Sequence, residues 1–265
     1  MTRPVFVATA ALAAAPLFAG VRIQSESTDL ATKMVTTDLI LLDTNRIRLE
    51  TDKNTSVMFL TDGGRNRMVM LDKARNTYQE IDEETMNQMA QQMSGAMAQM
   101  QAQMKNMTPE QRAMMEKMMK GKMPQAAAPK RVYTAKGSGS VNGFSCTKYE
   151  GVMGGEKETE VCAALPAQLK LTPADLQIFE KMKQFSATLT SALASAPVRV
   201  NVSTGSIEPG YEGFPIQRVD FDKGQATKRS ELKSITRVNF TDADFSLGDA
   251  KKVELPIPGA RGKQR

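Results

Sequence analysis

The residues most able to do chemistry here are methionines. The stretch "MNQMAQQMSGAMAQMQAQMKNM" opens at Met86 and carries Met86, Met89, Met93, Met97, Met100, Met104 and Met107, spaced 3, 4, 4, 3, 4 and 3 residues apart. "MMEKMMKGKM" adds five more a few residues later. Steps of three and four put the sulfurs on one stripe of a helix. Three uses of such a stripe remain open. Thioether sulfur is a soft ligand suited to Cu(I). A mean step near 3.5 residues is also that of a coiled-coil seam, within one chain or between two copies. Methionine equally suits a lid that must cover irregular or changing apolar shapes. Copper-handling segments usually mix in other ligand types, and a straight helix converges only two or three sulfurs at a time. The adaptable apolar lid is therefore the leading expectation.

Histidine is absent from the 265 residues. That excludes a histidine-based catalytic triad, zinc site or haem ligand, and removes the ring that titrates near neutrality as general base. The pair Glu83–Glu84 lies beside the stripe and reads as solvation of its outer face. Glycosidase-like carboxylate chemistry would lack aromatic sugar platforms, since tryptophan is absent and aromatics are 5% of the chain. The expectation is a protein without enzymatic activity, cofactor or resident metal.

Two cysteines, Cys146 and Cys162, sit in alternating segments on either side of a Gly154–Gly155 turn signal. A three-residue loop at 153–155 would set them opposite each other in a hairpin. In an oxidising compartment that favours a cross-strand disulfide worth about 3 kcal/mol by loop-closure entropy.

The elements that must hold these residues follow from periodicity. "DLILLDTNRIRLETD" places Ile47 and Leu49 on one face and Arg46, Arg48 and Glu50 on the other. "TSVMFLTDGGRNRMVMLD" turns at Asp62-Gly63-Gly64 between two apolar runs, and "DKARNTYQEID" supplies another turn and strand. Such closely spaced turns leave no room for helical crossovers and predict an antiparallel sheet. Residues 83–107 then change to helical period. "TPEQ" at 108–111 reads as the start of a second helix, ending near Lys120 and Gly121. The insertion at 83–121 is thus a Met-rich helical hairpin, followed by a linker at 122–130. Strands resume through the cysteine hairpin. A third helix is capped by Thr172 with Pro173 at its first position, and Leu176, Phe179, Met182 and Phe185 form its apolar face. Further strands follow in "PVRVNVS", "GFPIQRVDFD" and "ATKRSELKSITRVNF", and "DADFSLGDAKKVELPIP" reads as an extended cap.

At the N-terminus, "MTRP" precedes the apolar run "VFVATAALAAAPLFAG". The run is too short to span a bilayer and ends in small residues, so residues 1–19 are expected to be a secretory signal, cleaved after Ala19 or, less favourably, after Ala15. The remainder, 20–265, reads as one α+β domain, periplasmic or secreted, with no stable membrane anchor after cleavage. Net charge is +6, but the cations are dispersed outside the terminal "GARGKQR" and lack aromatic interleaving, so no nucleic-acid surface is expected.

This order of pieces resembles the bacterial family called domain of unknown function 4412. The resemblance covers most of residues 25–250. Its most specific parts are "RNRMVMLDKARNTYQEID" and the segment carrying Gly143, Cys146 and Tyr149. Members often have tryptophan where this chain has Cys162. The family is thought similar in fold to periplasmic lipoprotein carriers and receptors of the LolA and LolB type, half-open barrels of curved antiparallel sheet whose inner face is closed by helices and holds acyl chains. The resemblance implies that fold and a hydrophobic small molecule or lipid as ligand. The expected lining is the stripe Met86, Met89, Met93, Met97, Met100, Met104 and Met107 with Leu176, Phe179, Met182 and Phe185. An oligomer through the Met-rich helix, a Cu(I) site and a purely structural role stand as alternatives.

Overall fold

The computed structural model describes residues 20–51, 54–105, 108, 131–192 and 210–254. The expected signal (1–19), second helix and Gly121 cap, linker (122–130) and "PVRVNVS" strand lie outside these residues, as does Met107.

The described residues form one open, curved sheet of twelve strands. In chain order they are β1 (Gly20–Asp29), β2 (Val35–Asp43), β3 (Arg46–Glu50), β4 (Thr55–Asp62), β5 (Arg65–Asp72), β6 (Thr77–Asp82), β7 (Val132–Val141), β8 (Phe144–Met153), β9 (Glu156–Ala164), β10 (Phe214–Asp222), β11 (Gln225–Val238) and β12 (Lys251–Lys252). Helix α1 (Glu83–Lys105) follows β6 directly, and α2 (Pro173–Ala192) follows β9 through a 3₁₀ turn at Pro166–Leu169. In space the strands run β12, β6, β5, β4, β3, β2, β1, β11, β10, β9, β8, β7. The architecture is α+β, as the periodicities predict. The sheet is mixed rather than purely antiparallel, because β12 pairs parallel to β6 while every other neighbouring pair is antiparallel.

Local chemistry explains the hairpins. Gly63 and Gly64 take positive φ (54° and 83°) in a two-residue turn, and Asn142-Gly143 does the same (48° and 84°). Positive φ at both central positions defines the turn whose twist matches the flanking strands. Strands β1 and β11, far apart in sequence, meet at the middle of the sheet, pairing from Gly20↔Val238 to Asp29↔Lys228.

Strands β2–β6 are apolar on both faces, which is why "LILL", "VMFL" and "MVML" read as runs rather than alternations. The inner face carries Ile40, Leu42, Ile47, Leu49, Val57, Phe59, Met68, Met70 and Ile81, and this cluster extends to β1, β8, β9, β10, β11 and both helices. Ile47 and Leu49 lie inward and Arg46, Arg48 and Glu50 outward, as the alternation requires. The outer face buries Leu41, Met58, Leu60, Val69 and Leu71. It is covered by the strap 240–250, which contributes Phe240, Phe245, Leu247 and Ala250. Arg46 holds the strap: its guanidinium donates to Asp43 and Asp242 and lies 4.5 Å from the Phe245 ring centroid. Arg48 donates to the Asp244 carbonyl. The expected extended cap is thus present, with a short 3₁₀ turn at Asp242–Phe245.

Candidate functional site

The inner face and α2 are brought together by a cap and an ion pair. Thr172 precedes α2, and its amide and hydroxyl both donate to an Asp175 carboxylate oxygen (2.6 and 2.7 Å). Asp175 also receives two bonds from the Arg237 guanidinium on β11, at 2.7 and 2.8 Å. Arg237 reaches further, to the Lys170 carbonyl. Burial works against ionisation of Asp175, but the Arg237 and Thr172 bonds outweigh it and hold the carboxyl below its ordinary value. Arg237 is shifted upward, first by its bond to Asp175. One carboxylate thus caps the helix and ties its first turn to the middle of the sheet.

Along α2, Asp175, Ile178, Met182 and Phe185 are buried, following the helical period of 3.6. Phe185 packs on Phe59 of β4, ring centroids 5.5 Å apart. Leu176 and Phe179 are partly buried at the edges of this face. Of the expected lining, the structure brings Met86, Leu176, Phe179, Met182 and Phe185 into one apolar cluster. Ile178, fully buried, is absent from the expected face. Steps of three rotate the expected stripe off the core, whereas 175, 178, 182 and 185 stay on it. Met89, Met93, Met97, Met100 and Met104 all fall within α1, so the stripe is helical as its spacing predicts. What their sulfurs face lies outside the described side chains. The root of α1 is fixed by Asp82, whose carboxylate accepts from the Thr85 amide and hydroxyl (2.8 and 2.7 Å).

On the side of α2 turned away from the sheet runs an open groove of about 700 Å³. Leu165, Pro166, Ala167, Leu171, Pro173 and Leu176 give it an almost wholly apolar lining, with Gln177, Glu180, Lys181 and Gln184 along the helix. Its volume falls in the range of small-molecule sites. Sequence reasoning finds only Leu176 of this set, because the opposite wall depends on the 3₁₀ turn after β9. The "LPAQL" turn is rigid: the Leu165 amide donates to the Gln168 side chain, and the Leu171 amide to the Pro166 carbonyl.

Cys146 and Cys162 form a disulfide with Cα atoms 5.5 Å apart. The geometry is not the directly opposed pair expected. The turn contains two residues, since Met153 pairs with Glu156, and a bulge between Gly151 and Val152 shifts the register again. Cys162 therefore faces Lys148, and the disulfide runs diagonally to Cys146. On the next strand Gly139 pairs with Cys146, and a Cβ there would stand 3.1 Å from the Cys162 sulfur.

No family model and no curated protein matches this chain. Several solved structures are similar to it. One is an uncharacterized conserved protein from Thermus thermophilus, at TM-score 0.42 and 9% identity, covering 90% of this chain and 92% of that one. PNGF-II is similar at TM-score 0.39 and 8% identity over 89% of this chain and 31% of that one. MucB is similar at TM-score 0.33 and 10% identity over 87% and 58%. Among the described residues no helix is long and apolar enough to cross a membrane. Nor does any group of three or more histidine, cysteine, aspartate or glutamate side chains stand where it could hold a metal ion, again among the described residues.

Proposed function

We propose that this chain is an exported, non-enzymatic protein that binds a lipid acyl chain or a similar apolar ligand, on a half-open, carrier-like sheet closed by helices. The observation that supports this reading is the apolar groove along α2, whose walls a hydrocarbon chain would cover. Burial of such surface contributes about 25 cal/mol per Å². The Lys181 side chain at its edge, bonded to Asn45, stands where a ligand headgroup would emerge. The disulfide fits an oxidising compartment, as the expected signal would require.

Titration with a fluorescent fatty acid tests this, with native mass spectrometry of gently extracted protein for any retained ligand. Saturable binding is expected, weakened about tenfold or more by Leu165→Asp, a half-exposed position whose change leaves the core intact. A ligand-free protein that leaves the probe unshifted overturns the reading. Titration with Cu(I) under a competing chelator separates it from a thioether copper site on α1.

A further inference from the structure

The geometry points to a second surface, a membrane-docking tip at the end of the sheet formed by the β1–β2 and β10–β11 hairpins, fitted to anionic lipid headgroups. Met34 and Val35 are the most exposed large hydrophobics there, at 65% and 56%. They are held rigidly in that position. The Asp29 carboxylate accepts from the Ala31 and Thr32 amides, the Asp29 amide donates to the Met34 carbonyl, and Lys33 takes a left-handed φ of 60°. The turn is tied to its neighbour by the Leu30 amide, which donates to the Thr227 carbonyl. This brings Lys33 together with Lys223, Lys228 and Arg229 of the β10–β11 hairpin. All four are exposed and form no ion pair among the described residues. Register places Val35 and Arg229 on either side of Thr28, in one cross-strand row. The nearby anions are Asp29, whose carboxylate accepts from the turn amides and stands across from Lys228, and Asp222. Of the other carboxylates of the hairpin, Asp220 is bonded to Arg218 and lies across from Lys228, and Glu231 accepts from Gln217 and lies beside Lys233.

A rigid apolar point beside the exposed cations Lys33, Lys223 and Arg229, with Lys228 in register between Asp29 and Asp220, matches an interface where hydrocarbon begins just beneath phosphate. The cations supply long-range attraction and orientation, and Met34 and Val35 supply the insertion. A soluble acidic protein would satisfy the cations but gains less from a small apolar point.

Co-flotation with vesicles tests the assignment. The protein is recovered from exporting cells, and its N-terminus is checked by mass so that all variants share it. Vesicles of phosphatidylcholine with about 30% phosphatidylglycerol should bind it at low salt, pure phosphatidylcholine at least tenfold less, and added salt should weaken the binding. Met34→Asp with Val35→Asp should lower partition about tenfold with an unchanged melting temperature, as should Lys223→Glu with Lys228→Glu. Arg65→Glu with Lys183→Glu makes the same charge change away from this end and should alter binding less than twofold. Absence of binding to anionic vesicles, or equal loss in the two charge variants, overturns the proposal. Neither outcome bears on fatty-acid binding in the groove, which is read separately.

Discussion

The two faces of strands β2–β6 are made from the same strands yet closed by different physics. The inner face is sealed by apolar contact across half the molecule, with Phe59 meeting Phe185 and the helix pinned by one buried carboxylate. The outer face has a smaller apolar patch, and its cover is a strap held by surface charge at Arg46 and Arg48. Apolar burial carries the first, and ion pairs that also span the chain trim the second. Exposed ion pairs are worth little, so the strap's own apolar residues, Phe245 above all, must supply most of its attachment.

Adjacent residues on β4 give the strongest test. Phe59→Ala should destabilise by about 3–5 kcal/mol in chemical denaturation, and Met58→Ala on the outer face by less, though still above about 2 kcal/mol. Equal losses would remove the distinction between a main and a minor core. Asp175→Ala, which strands the Thr172 amide and frees Arg237, should cost about 1–3 kcal/mol. Its signature is in pH. The folded carboxyl titrates below its ordinary 3.8, so its stabilisation is complete above that value and fades as pH falls through the lower folded value. The variant should therefore lose less stability than the parent on acidification below about pH 4. Arg46→Ala should cost about 1 kcal/mol or less, with the difference shrinking in high salt. Faster hydrogen exchange confined to 242–250 would show that the strap alone has loosened. Ser56 gives the smallest effect. Its hydroxyl is fully buried on the outer face with no hydrogen-bond partner among the described residues, so Ser56→Ala should raise stability by about 0.5–1 kcal/mol.

These elements also show which signals a sequence carries. Ile47 and Leu49 are legible because a two-residue period is local, and the Gly63–Gly64 turn because positive φ demands particular residues. The diagonal disulfide is not, because a bulge leaves no compositional trace near Gly151, yet each register slip moves a side chain to the other face. The helix opening at Pro173 is legible in full and its face only in part. Met182 and Phe185 lie where periodicity puts them, but Ile178 lies inside because tertiary packing selects one stripe among several apolar ones. Half of the candidate groove is invisible, since Leu165 and Ala167 become a wall only when the chain turns sharply after β9. Pairing of β1 with β11 has no local cue at all.

That pairing has a consequence for how the molecule comes into being. The middle of the sheet joins Gly20 to Val238, so the first strand has one of its two partners more than two hundred residues away. Contacts of such sequence separation close slowly, because the intervening loop entropy must be lost first. A chain emerging from synthesis cannot complete its centre until nearly its last strand exists. Here the delay is written into the topology itself, with β11 as the latch that ends it.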